Sequence, residues 1–106
     1  MQQKRFSDLV DHKRLGSCSS CDTNEYQLPL PLTKEIGTYL EPFGQLMYPL
    51  DKVGLIKIDN ERVNIQARLG RTSIRVKFKQ KGQRPSFEEQ LAKYLGTLMQ
   101  LEVIPD

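Results

Sequence analysis

Residues 53–83 read VGLIKIDNERVNIQARLGRTSIRVKFKQKGQ, and the fold turns on how this stretch pairs with itself. Short apolar–polar alternations are separated by Asp59-Asn60 and by Gly70-Arg71. Alternation with period two is the mark of a half-buried strand, and both dipeptides suit tight hairpin turns. Three antiparallel strands are therefore expected. Turning at Asp59-Asn60 sets Lys57 opposite Arg62 and Ile56 opposite Val63. Turning at Gly70-Arg71 sets Ala67 opposite Ile74, Ile65 opposite Val76 and Val63 opposite Phe78. One face then gathers Ile56, Val63, Ile65, Ala67, Leu69, Ile74, Val76 and Phe78. The other gathers Leu55, Lys57, Arg62, Asn64, Gln66, Arg68, Arg75, Lys77 and Lys79. A one-residue slip at either turn would mix the two sets, so the register itself is expected to be well specified.

The polar face is rich in one sign. No acidic residue occurs between Arg62 and Phe87, against eight basic ones: Arg62, Arg68, Arg71, Arg75, Lys77, Lys79, Lys81 and Arg84. In the expected register Lys57, Arg62 and Lys79 form a row across three strands. Like charges directly opposite one another destabilise a sheet by up to about 1 kcal/mol per pair. A face kept only for solubility interleaves both signs. The excess points to an anionic ligand, with Lys57, Arg62, Arg68, Arg71, Arg75, Lys77 and Lys79 as the candidate contacts. Solvation alone is the plainer explanation of a charged strand face, and lysines also guard sheet edges. The face carries no aromatic residue, which disfavours base stacking on single strands. Contacts to a phosphate backbone need only Arg, Lys and polar donors. An acidic protein surface would be served equally well.

Outward from this stretch, Ser86-x-x-Glu89 has the form of a capping box. Phe87, Leu91, Tyr94, Leu95 and Leu98 follow at helical spacing, so a helix is expected over 87–102, lying across the apolar face. Upstream, Thr33 suits an N-cap, with a short helix over 34–41 ended by Pro42 and Gly44. Residues 26–32, YQLPLPL, carry two prolines and read as an extended edge segment. A fourth strand is expected from 26–32 or 45–50.

The N-terminal 25 residues read differently. Phe6, Leu9 and Val10 fall on one face of a short helix over 4–15. Residues 17–25 have no periodicity and read as a loop, which contains Cys18-x-x-Cys21. Two cysteines are not a secreted disulfide framework. Zinc needs four ligands in a closed site, and His12, Cys18, Cys21 and Asp22 are the whole local supply. A redox pair would need a helix following the motif, and none is patterned there. Unremarkable cysteines are the favoured reading; a zinc site at His12, Cys18, Cys21 and Asp22, or a metal shared across a dimer, is the lesser alternative, and no other cofactor is expected.

The 106 residues carry net charge +3, with 27% charged and 38% hydrophobic residues, as in an ordinary globular protein. No apolar run reaches the roughly 20 residues of a membrane span, and the N-terminus lacks the apolar core of a signal peptide. A cytoplasmic location is expected. No P-loop, dinucleotide glycine pattern, nucleophile elbow or HExxH is present, so no enzymatic activity is expected. The expected architecture is α+β: a three- to four-stranded antiparallel β-meander with a short central helix and a longer C-terminal helix on one face. Residues 1–25 form an N-terminal appendage to a domain of residues 26–106. The expected function is nucleic-acid binding through phosphates, or, as the alternative, an adaptor or assembly subunit that binds an acidic protein.

Overall fold

The structure is a computed structural model that describes residues 2–18, 21–48 and 54–104. It is α+β. A five-stranded antiparallel sheet has the order β2-β3-β6-β5-β4. Its strands are β2 (Asp11–Cys18), β3 (Cys21–Gln27), β4 (Leu55–Asp59), β5 (Val63–Arg68) and β6 (Ser73–Phe78). Helix α1 (Phe6–Leu9), helix α2 (Ile36–Leu40), a 3-10 turn at Glu41–Phe43 and helix α3 (Gln83–Met99) complete it, with β1 (Gln3–Arg5) paired parallel to β7 (Glu102–Ile104).

The meander forms as its alternation requires. Ile56, Ile58, Val63, Ile65, Ile74, Val76 and Phe78 are buried on one face, and α3 covers them with Phe87, Leu91, Tyr94 and Leu95. Phe87 is the centre of an aromatic cluster, with ring centroids 5.3 Å from Tyr26 and 5.8 Å from both Phe43 and Phe78. Offset and edge-on arrangements of this kind add about 0.5–1.5 kcal/mol per pair beyond area burial.

The β5–β6 pairing follows the expected register, with Val63 opposite Phe78, Ile65 opposite Val76 and Ala67 opposite Ile74. The turn is closed by Arg71 N–H to the Arg68 carbonyl at 3.2 Å, and Gly70 takes its left-handed position at φ 84°. The β4–β5 pairing differs. Lys57 lies opposite Gln66, not Arg62, and Ile56 opposite Ala67, not Val63. Asn60 is the reason. Its Oδ1 accepts from the backbone N–H of Arg62 at 2.9 Å and of Val63 at 3.1 Å, while Asn60 N–H donates to the Val63 carbonyl at 3.0 Å. A side-chain amide that mimics backbone in this way moves the reversal onto Glu61-Arg62. The resulting displacement is four residues along β5, an even number, so every residue keeps its face.

The N-terminal segment departs furthest from expectation. Only Phe6–Leu9 is helical, and residues 11–18 and 21–27 are strands rather than helix and loop. β3 inserts between β2 and β6 and runs through position 25, so the N-terminal residues are built into the sheet. Pro29 and Pro31 lie past the end of β3 and interrupt no ladder, so a strand that ends just before them can be an inner one. The α3 boundary also differs. The helix starts at Gln83 behind Gly82, four residues before Phe87. Ser86 does not cap it; its hydroxyl donates back to the Gly82 carbonyl at 3.2 Å. Gln100, at φ 55°, ends it, short of residue 102.

Candidate nucleic-acid interface

Because α2 and α3 pack on one side, no described helix covers the opposite face of the sheet. Its residues follow from register. Reading across β2-β3-β6-β5-β4, one row runs Lys13, Glu25, Arg75, Gln66, Lys57. A neighbouring row runs Thr23, Lys77, Asn64, Asp59. Neighbouring strands lie about 4.8 Å apart, so Lys13 and Lys57 at the ends of the first row are separated by roughly 19 Å at the backbone. Gln66, Arg68, Arg75 and Lys77 are exposed.

Two of the candidate contacts are held elsewhere. Arg62 sits in the β4–β5 reversal and turns away from the face. Its guanidinium donates to the Pro42 carbonyl at 3.1 Å and the Phe43 carbonyl at 2.9 Å, tying the reversal to the 3-10 turn. Lys79 donates to Asp59 Oδ1 at 2.9 Å and to the Asn60 carbonyl at 2.8 Å. That contact, and then a hydrogen bond from Asn64, holds the Asp59 carboxyl below its ordinary range. The expected row of Lys57, Arg62 and Lys79 therefore does not form. The shifted register separates Lys57 from Arg62, whereas Arg62 and Lys79 remain neighbours, with Lys79 N–H donating to the Arg62 carbonyl at 2.8 Å, and both direct their side chains to oxygen acceptors.

Lys57, Arg68, Arg71, Arg75 and Lys77 remain on or beside the open face. Among the described residues only Arg75 of these has an ion-pair partner, Glu25 at 3.2 Å. The structure adds Lys13, which an N-terminal helix had placed elsewhere. It also adds three carboxylates, Asp11, Glu25 and Asp59. A shallow depression of about 290 Å³ beside the β5–β6 turn is lined by Glu25, Gln66, Arg68, Arg71, Ser73 and Arg75, among others.

The missed strands had a weak signal. β2 and β3 flank a two-residue Cys18/Cys21 reversal, the spacing of a hairpin turn. On the helix-facing side β2 carries the exposed His12 and Arg14, and β3 carries Asp22 and the buried Asn24 and Tyr26, so Tyr26 is the one large hydrophobic residue there and no apolar alternation marks the two strands. These polar groups satisfy one another. His12 stacks on Tyr26 with centroids 4.7 Å apart, and its Nε2 meets the buried Asn24 Oδ1. Its Nδ1 lies 3.2 Å from Arg84 Nη2, and Arg84 Nε donates to Glu88 at 3.0 Å. The Asn24 contact fixes the proton on Nε2, leaving Nδ1 to accept from Arg84. Tyr26 donates its hydroxyl to Glu88 Oε2 at 2.7 Å. Burial first, and then that bond, push the phenol far above its ordinary range. The network fastens the first turns of α3 to β2 and β3.

The same strand holds His12 and the two cysteines apart along the backbone. Six residues of extended chain separate His12 from Cys18, roughly 20 Å at 3.3 Å per residue, whereas zinc holds its ligands at 2.0–2.3 Å. Cys18 and Cys21 face each other in register at the hairpin end; their side chains lie outside the described part of the structure. Among the described residues, no helix is long and apolar enough to cross a membrane.

The sequence matches no protein-family model, and neither curated proteins nor solved structures give a match.

Proposed function

We propose that the open sheet face binds double-stranded nucleic acid through its phosphate backbone. The observation that carries this is an uncovered face bearing Lys13, Lys57, Arg68, Arg71, Arg75 and Lys77, of which Arg75 alone is ion-paired among the described residues. Phosphate binding needs cations with free donors and tolerates the absence of aromatic residues. Two strand spacings, about 10 Å, separate Arg75 from Lys57 on one side and Lys13 on the other. That distance is comparable to the roughly 12 Å width of a B-DNA major groove, so neighbouring cations can reach phosphates on both sides of a groove. Neither Arg62 nor Lys79 takes part.

Gel-shift titration with a duplex of mixed sequence tests this. Binding should fall steeply with salt, and Lys77→Ala or Arg68→Ala should each reduce the log–log salt slope by about 1. Lack of binding to DNA or RNA duplex at low salt overturns it.

A second reading is favoured by one feature, the carboxylate of Glu25 in the middle of the cationic row. Alternating signs suit a largely acidic protein surface that offers a cation opposite Glu25. Glu25→Gln separates the two, since it weakens such a protein complex and strengthens a phosphate complex.

A further inference from the structure

We infer that the depression beside the β5–β6 turn is a discrete phosphate subsite, with Arg68, Arg71 and Arg75 as its donors and Glu25 as a built-in competitor that phosphate displaces. The inference rests on the nucleic-acid reading and deepens it by naming where one phosphate sits.

Three arginines converge on one concavity. Arg68 ends β5 opposite Leu55, Arg71 lies in the turn, and Arg75 stands in β6 between Glu25 and Gln66. Ser73 lies two residues before Arg75 on the same face and lines the same depression. The volume of about 290 Å³ is at the small end for ligand sites, which suits a phosphoryl group better than a base or a cofactor.

The charge balance is incomplete in a specific way. Arg68 and Arg71 have no carboxylate partner among the described residues. Arg75 has one contact, Nη2 to Glu25 Oε2 at 3.2 Å, with its side chain 59% exposed. A guanidinium carries five N–H donors in a planar fork, so a single contact to one oxygen leaves most of that fork unused. Exposed pairs of this kind are worth little. A phosphate that accepts two parallel N–H bonds from one guanidinium is held more strongly, and here two further arginines border the same space. Glu25 therefore orders Arg75 while the site is empty and gives it up when phosphate arrives. The phosphate can belong to a duplex backbone or to a free phosphomonoester, and the chemistry of the subsite is the same for both.

The test has two arms. In the first, duplex affinity is measured for the whole chain and for Glu25→Gln and Arg68→Gln. Glu25→Gln should bind roughly two- to fivefold more tightly, the scale of losing one exposed charge contact, and Arg68→Gln should bind more weakly. In the second, the unmodified protein is titrated with phenyl phosphate while the arginine Nε–Hε signals are followed by NMR. Saturable shifts are expected at Arg68, Arg71 and Arg75, and not at Arg14 or Arg62. If duplex binds but Glu25→Gln does not strengthen it and no guanidinium signal moves, the subsite is overturned and the proposed function stands. If phenyl phosphate saturates these three arginines and no duplex binds, the subsite stands and its ligand is a small phosphomonoester. If neither arm responds, both proposals fall. The second arm needs no variant, so a failure of Glu25→Gln or Arg68→Gln to fold leaves the inference testable.

Discussion

Arg62 and Lys79 show how little a residue's type says about its task. Both are cations in a basic stretch, and both are engaged by carbonyl or carboxylate oxygens of their own chain. Arg62→Ala should therefore cost stability, about 1–2 kcal/mol in all, below the roughly 1.5–3 kcal/mol of each well-buried bond from a charged donor because these contacts are exposed or half-buried, and leave duplex affinity unchanged at temperatures where the fold persists. Denaturant unfolding and gel shift on the same variant check this. Asp59 gives a pH prediction. Its carboxyl is held below its ordinary range by Lys79 first and Asn64 second. A carboxyl depressed on folding stabilises the native state above its unfolded value of about 3.9, and that contribution is lost as pH falls through the lower, folded value. Lys79→Met should raise the Asp59 pKa towards its ordinary value, as followed by NMR of its side-chain carboxyl. It should also flatten the loss of stability in that acidic window.

At the level of elements, α3 does most of the covering, and its attachment is of two kinds. Phe87, Leu91 and Leu95 enter the core, while Tyr26, Glu88, Arg84, His12 and Asn24 form a polar fastening at one side. Phe87→Ala should cost about 3–5 kcal/mol, the usual range for an aromatic truncated in a packed core. At the far side of the helix the Tyr94 hydroxyl accepts from Thr33 N–H at 2.9 Å. Tyr94→Phe leaves that N–H without its acceptor and should cost about 1–3 kcal/mol. Both values are read from urea midpoints at constant m. The first turn of the meander depends on Gly44 as well as Asn60. Gly44 has φ 146°, and a Cβ there would collide with the Asn60 amide, the group that closes the reversal. Gly44→Ala therefore disturbs the β4–β5 loop even though it lies outside the sheet.

Across the whole molecule, the order β2-β3-β6-β5-β4 decides both stability and exposure. β6 and β3 are paired on both edges, whereas β2 has one partner. Native-state hydrogen exchange should find the inner amides of β3 and β6 among the slowest and the outward-facing amides of β2 among the faster, as edge positions open locally. The same order sets the charge pattern of the open face, because inserting β3 brings Glu25 beside Arg75.

The meander, its two faces and the helix across the apolar one were legible from residues 53–98. Alternation with period two and spacing near 3.6 are properties of local chain geometry that the side-chain pattern must obey. The β5–β6 register was legible too, since its turn and its apolar residues agree. The β4–β5 register was not, because Asn60 closes the reversal through bonds to Arg62, Val63 and Phe43 that require the 3-10 turn to be in place. Nor were β2 and β3, whose helix-facing residues other than Tyr26 are polar; His12 and Tyr26 find partners in Arg84 and Glu88 from a helix some 60–70 residues later in the chain. The sequence by itself determined which residues of the meander face water. Only the tertiary structure decided which of those cations remain without a partner, because an ion pair depends on what the rest of the chain brings within about 4 Å.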